Sequence, residues 1–388
     1  MKKLLTIVCL FVSWTVFAQE QNSWNSTVSS SGENFADVVN QNFSQWDINA
    51  DGVLSKDEIE TAATNPKIKS EAAAAVATIV HFTRNTQFTL PPLTEKYLTK
   101  KTAIESRSSE AAGEPVESDD SDSAKTPLFQ KVFHNYLRKI NQTSRELFPQ
   151  GSPMFDAVHQ GQLGDCPFVS TVGALVYRNP SAIKAMFAEN GKDSTIVNFG
   201  NGQKLNIHNL TDVDIALWSS AGTNGLWLTV LEKAYRRELV STEHPDPKLR
   251  PSIYDKFGPS TLTIEILDGF KTEKVPLKKI KAGNEGLSSL RLKIIAALTE
   301  RQIVKTGTSK NVKTRGITPD HAYAVLGFSK DTDSVQVWNP HGQEFHPTGD
   351  EGLENGYTTK RGLFSVPLKE FVQIFDDVNI ETSSRYVH

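Results

Sequence analysis

Gln160-Gly161-Gln162-Leu163-Gly164-Asp165-Cys166-Pro167-Phe168 is the stretch on which the fold of this chain turns. Pro167 at a first helical position gives up no hydrogen bond that a helix needs, and Phe168, Val172 and Leu175 recur on one face, so a helix is expected to begin at Cys166. A cysteine there sits at the positive end of the helix dipole, which favours the thiolate, the reactive form. The 388-residue chain has one other cysteine, Cys9. It lies in Met1-Lys2-Lys3 followed by an apolar run from Leu4 to Phe17 and the closing Val16-Phe17-Ala18, which reads as a cleavable secretory signal over residues 1–18. The run is shorter than the roughly 20 residues that span a bilayer, so an uncleaved anchor is the lesser reading. The mature product is then expected to be secreted or periplasmic, without stable membrane association. In such an oxidising compartment cysteines usually pair, and Cys166 has no partner. A nucleophile and a buried structural cysteine are the two readings open to it.

Of the residues, 38% are hydrophobic and 22% charged, ample for one large domain and a smaller module. The formal charge of −3 is unevenly spread. Residues 102–126 are rich in Ser, Glu, Asp and Ala; from Glu105 to Asp122 seven acids face only Arg107. Such a segment buries too little apolar surface to offset chain entropy and is expected to be a disordered linker. What remains is near neutral, which argues against nucleic acid as a partner. The linker separates a module at 34–101 from a large domain at 127–385, and its flexibility predicts loose coupling, with the large domain folding without the module.

The module contains Asp47-Ile48-Asn49-Ala50-Asp51-Gly52-Val53-Leu54-Ser55-Lys56-Asp57-Glu58, which fits the twelve-residue EF-hand calcium loop. Calcium takes six to eight hard oxygens, here expected from Asp47, Asn49, Asp51, the Val53 carbonyl, Ser55 through a water, and both oxygens of Glu58, with Gly52 permitting the turn. Phe35, Val38, Val39, Phe43 and Trp46 have helical spacing before the loop, and Glu58 to Ala63 can start the exiting helix. A second hand, which would pair at Leu54, has no motif. A packing helix over Ile68–Thr83, a degenerate partner or intermolecular pairing are the alternatives.

Far downstream, 321–328 reads as a strand beginning at His321, Ser329-Lys330-Asp331 as a turn, and 332–339 as a second strand ending at Asn339. With Phe328 opposite Thr332, His321 faces Asn339, and directly opposed side chains lie about 5 Å apart at Cβ, near enough for an amide oxygen to orient an imidazole.

These segments resemble those of the calpain-type, papain-like cysteine peptidases. Gln160 to Cys166 resembles the nucleophile segment, Leu226-Trp227 with Leu231-Glu232-Lys233-Ala234-Tyr235 the helix after it, His321-Ala322-Tyr323 and Asn339-Pro340-His341-Gly342 the base and asparagine segments, and Gly362-Leu363-Phe364 with Leu368 and Phe371 the closing strand and helix. The resemblance implies an α+β, two-lobed core: a helical lobe with Cys166 and a sheet-rich lobe with His321 and Asn339. It implies that Gln160 donates its amide to the oxyanion, that protein or peptide substrates are cut by thiolate attack, and that Asn339 holds the base. Three positions depart from the family pattern: Pro167 and His341 stand where Trp is usual, and Asp320 where Gly is usual. Trp338 and Phe345 are the candidates to shield the His-Asn contact in place of the missing Trp, and a nearby Asp320 would favour the charged imidazole. A catalytically silent domain serving as a calcium-stabilised binding module is the alternative function. Transamidation is a third reading, disfavoured by Asn339 because acyl-transferring relatives usually have Asp there. The residues leave open the cleavage preference, the oligomeric state and any gating by calcium.

Overall fold

The computed structural model describes residues 34–84, 89–100, 128–246, 251–254, 262–280 and 284–385. The expected signal segment and the acidic linker lie outside them. Helix α1, Phe35–Trp46, begins at Asn34, whose side chain accepts the Ala36 N–H, and buries Phe35, Val38, Val39, Phe43 and Trp46. Helix α2, Lys56–Thr64, starts with a reciprocal capping box between Ser55 and Glu58. The expected packing helix is present as α3, Ser70–Arg84, with Ala73, Ala74 and Ala75 buried. Leu54, the position at which hands pair, donates its N–H to the Leu93 carbonyl at 3.1 Å.

This module is not loosely coupled. Its apolar face is one continuous core with Phe129, Phe133 and Leu137 of the helix Phe129–Gln142, with Val213 and Leu217 of the helix Asp212–Leu217, and with Leu163 and Trp218. Phe35 stacks on Phe129 with ring centroids 5.3 Å apart. Polar ties cross the same boundary: Thr211 Oγ1 donates to the Ala63 carbonyl at 3.1 Å, and Asp212 accepts the Ser70 N–H at 2.9 Å and pairs with Lys69. The expectation of independence followed from linker composition alone. An acidic tether sets the length of a connection, whereas the apolar stripes of α1 and α3 decide where the tethered piece lies.

The helix that Cys166 opens, Cys166–Arg178, is buried along Phe168, Val169, Val172 and Leu175 and shares a core with Trp227, Leu231, Ala234 and Tyr235 of the helix Trp227–Glu243. A six-stranded sheet of order β4-β9-β5-β6-β7-β8 forms the second lobe, with β4 Phe270–Pro276, β5 Val304–Thr308, β6 His321–Ser329, β7 Ser334–Trp338, β8 Leu363–Pro367 and β9 Asp377–Arg385. A smaller sheet, β1 Phe187–Glu189, β2 Ser194–Asn198 and β3 Lys204–His208, flanks the first lobe. Alternation along β6 splits the two cores: Ala324 and Leu326 join the Cys166 helix, while Tyr323 and Val325 join the opposite face with Phe364, Phe371 and Phe375. A Cβ on Gly173 would lie 2.3 Å from the Trp338 ring, so the hairpin docks on the Cys166 helix through a notch that only glycine leaves.

The β6–β7 register differs from expectation. Ser329 faces Ser334, Phe328 faces Val335, and after an irregularity between Val325 and Gly327, Ala324 faces Trp338. The turn is longer because Asp333 adopts a left-handed φ of 49° and is gripped by Arg291 through Nε at 2.6 Å and Nη2 at 2.8 Å. His321 and Asn339 are therefore not opposed partners; Asn339 lies just past the end of β7.

Candidate active site

Cys166 opens its helix 9% exposed, and its Sγ accepts the Ala322 N–H at 3.4 Å, so the thiol rests against the residue that follows His321. His321 Nε2 meets Asn339 Oδ1 at 2.9 Å, a diagonal contact that survives the changed register. The same oxygen accepts the His341 N–H at 3.0 Å, and Asn339 Nδ2 donates to Thr318 Oγ1 at 3.2 Å. These partners fix the amide with its oxygen toward the ring, so Nε2 carries the hydrogen and Nδ1 keeps its lone pair for a proton. Thr318 is itself held, its N–H donating to the Tyr323 hydroxyl at 2.8 Å, while the Tyr323 ring stands edge-on to His321. Nothing in the sequence pattern singled out Thr318.

Gln160 donates its backbone N–H to Pro340, the residue after Asn339, at 3.1 Å. Gly161 beside it would, with a Cβ, approach the Leu217 carbonyl to 2.5 Å, and its N–H is taken by Ser219 Oγ at 3.1 Å. The segment is thus pinned on both sides, and Gln160 Oε1 is buried without a partner among the described residues. Gln160 and Cys166 from one stretch of chain, His321 from a second and Asn339 from a third are tied together by these contacts.

Residues 130–350 match the family model described as calpain family cysteine protease, more than half of the chain. The chain belongs to the calpain family of cysteine proteases. A search of the curated proteins finds no match.

Burial sets the electrostatics of this calpain-family site. It pushes the Cys166 thiol up to about 11, against the Ala322 N–H and the charge of Lys305, and pushes His321 down to about 3. Desolvation thus favours the neutral thiol and the neutral imidazole over the separate charges. Asp320 also acts contrary to expectation: it is exposed, and its charge raises the thiol rather than supporting the imidazole.

His341 itself covers His321, its ring nearly parallel at 22° and 4.5 Å between centroids. Neither candidate substitute does so: Trp338 fills the Gly173 notch and Phe345 packs on Gly316. A charge on His341 opposes a charge on His321. His341 is itself held below the ordinary imidazole value by partial desolvation, so its charge arrives as pH falls below that range. The sign follows: acid charges His341, the charge repels the His321 imidazolium, and formation of a thiolate–imidazolium pair is opposed. His341→Phe keeps the stack without the charge, and alkylation of Cys166 by iodoacetamide should fall less steeply below about pH 6 than in the wild type; superimposable pH profiles would refute this.

Behind the nucleophile, the fully buried Arg236 donates from Nη1 to Asp165 Oδ1 at 2.8 Å and from Nε and Nη2 to the Ile253 carbonyl. Glu232, accepting the Ser219 N–H, is made harder to ionise by burial and by the Asp165 charge. Asp165 Oδ2 is buried without a hydrogen-bond partner among the described residues. Asp165 immediately precedes Cys166, so this network fixes where the Cys166 helix starts.

In the EF-hand-like loop, Asp47 accepts the N–H groups of Asp51 and Gly52, Asn49 that of Asp51, Asp51 that of Val53, and Glu58 those of Ser55, Ile48 and Asn49. Ser55 N–H and hydroxyl, then Asn49, hold the Glu58 carboxyl well below the usual carboxylate range. Backbone N–H groups of the loop thus hold the side-chain oxygens of Asp47, Asn49, Asp51 and Glu58, with Ala50 and Gly52 at positive φ. Among the described residues no three His, Cys, Asp or Glu side chains stand close enough together to hold a metal ion.

Proposed function

We propose that the protein is an active, secreted or periplasmic endopeptidase that hydrolyses protein substrates through Cys166, His321, Asn339 and Gln160. Transfer of the Sγ proton to His321 Nδ1 creates the attacking thiolate and leaves the pair neutral as a whole, which a buried site tolerates better than a lone charge. The thiolate adds to the peptide carbonyl, and the oxyanion takes the Cys166 N–H and the Gln160 amide, donors typically worth about 3–4 kcal/mol each. The imidazolium returns its proton to the leaving amine, and His321 then draws a proton from water, which cleaves the thioester and restores the thiol. The observation that carries this reading is the His321–Asn339 hydrogen bond beside a thiol that touches Ala322. We further propose that residues 47–58 bind calcium through Asp47, Asn49, Asp51, Val53, Ser55 and Glu58.

Casein-type proteolysis by residues 19–388, with and without calcium and beside Cys166→Ala, tests both parts. Cleavage is expected and should vanish in Cys166→Ala, and calcium should raise the melting temperature of the wild type but not of a Glu58→Ala variant. The burial of both reacting groups favours the second reading, a silent binding domain. Equal inertness of wild type and Cys166→Ala with calcium present, together with a Cys166 that resists thiol reagents, would make that reading the better one.

A further inference from the structure

Lys305 lies on β5, 7% exposed, in a strand otherwise flanked by Val304 and Thr306. Its ammonium donates to the Pro167 carbonyl at 3.0 Å, one residue from the nucleophile. That carbonyl already accepts the Thr171 hydroxyl at 2.7 Å and the Ser170 hydroxyl at 3.2 Å, so it has no need of a cation. Lys305 pairs across the sheet with Ala324, on the strand whose Ala322 N–H meets Cys166 Sγ. The strand thus brings a buried positive charge to the first turn of the helix that Cys166 opens. A buried ammonium with a single hydrogen bond is costly, and such a cost is commonly met where the charge does something.

We propose that Lys305 is an electrostatic positioning residue for the reaction, holding Cys166 in reach of its thiolate form in a site whose burial otherwise opposes it. The inference rests on Cys166 being the nucleophile of the reaction proposed above. Charge is felt in both directions across this gap: Lys305 lowers the thiol, and the thiolate raises Lys305, which burial has drawn down to about 8. Glu265 and Asp377 face Lys305 from neighbouring elements and support its charge, while Asp165 and Asp320 face Cys166 and oppose the thiolate. Lys305 is the cation among these groups, apart from His321 once protonated.

The test is the pH dependence of Cys166 alkylation by the uncharged reagent iodoacetamide in residues 19–388, for the wild type, Lys305→Met and Lys305→Arg. Loss of the charge should move the inflection to higher pH and slow alkylation near pH 7.5 by about tenfold for every whole pH step the inflection climbs, while the arginine variant keeps most of the wild-type profile. A purely structural lysine would alter melting temperature without moving the inflection, and an unchanged inflection in Lys305→Met overturns the proposal. If Lys305→Met does not fold, Lys305→Gln is read in the same way. If neither neutral variant folds, a Lys305→Arg variant that folds but whose inflection lies at least one whole pH step above that of the wild type overturns it too. Alkylation is read separately from peptide hydrolysis: an inert wild type whose inflection still depends on Lys305 would refute the peptidase reading, and with it a role for Lys305 in that reaction, while an active wild type with an unchanged inflection in Lys305→Met refutes the role of Lys305 alone.

Discussion

A chain lacking residues 19–126 is expected not to fold cooperatively. Its removal would strip α1, α2 and α3 from the core that they share with Phe129, Phe133, Leu137, Val213, Leu217 and Trp218, all buried in the full chain. Each large side chain so exposed forfeits about 1.5–3 kcal/mol of burial, and a native domain has only about 5–15 kcal/mol in hand. The damage reaches the site by a short route. The helix Asp212–Leu217 carries Thr211, bonded to Ala63 of α2, at one end, and at the other the Leu217 carbonyl that accepts the Gln162 N–H. Without α2 and α3 the support under the Gln160–Cys166 segment is loosened as well. Far-UV circular dichroism and thermal melting of residues 127–388 check this: a broad or absent transition with aggregation is expected, and a sharp melt with retained peptidase activity would contradict it.

Arg236→Met is expected to be the most destabilising single substitution. It leaves Asp165 and Glu232 in the interior without the cation between them and the Ile253 carbonyl. Breaking a buried ion pair by removing one partner costs about 3–5 kcal/mol. Because Asp165 adjoins Cys166, activity should fall along with the melting temperature. Glu232→Gln is the contrasting case. An amide reproduces the protonated acid, accepting from Ser219 and donating toward Asp165 Oδ2, so near-normal stability at neutral pH is expected. The sign of the pH effect follows from the raised Glu232 value. An acid harder to ionise in the folded state costs nothing below its ordinary value and progressively more as pH rises from there toward its folded value. Stability of the wild type should therefore lose a component on going up from about pH 4.5, and Glu232→Gln should lack that component in pH-dependent denaturant melts.

The elements that hold the chemistry were legible because each is a local pattern. Proline after Cys166 marks a helix start, alternation from His321 marks a strand, and the apolar spacing around Asp47–Glu58 marks two flanking helices; all three are present. What was not legible depends on contacts distant in sequence. The hairpin turn runs longer than the local pattern suggested, and its Asp333 is held by Arg291, a partner 42 residues away that no turn rule contains. The position of the module was set by which apolar faces meet, which linker composition does not encode. The burial that raises the Cys166 thiol, against what a helix end alone favours, is a property of the assembled lobes. Lys305 and Thr318 carried no sequence signal, since a lysine in a strand is ordinarily an outward-facing residue and a threonine in a loop is commonplace.

The Leu54–Leu93 hydrogen bond gives the solitary calcium-type loop a colloidal consequence. An unpaired hand would present a short free strand edge, and free edges recruit other chains. Here the chain folds its own Leu90-Pro91-Pro92-Leu93 segment back over that edge, and two consecutive prolines have no N–H with which to continue a ladder. The protein can thus keep a single loop of this type without a second copy to complete it, and the face turned to neighbouring molecules is one on which strand-by-strand growth stops.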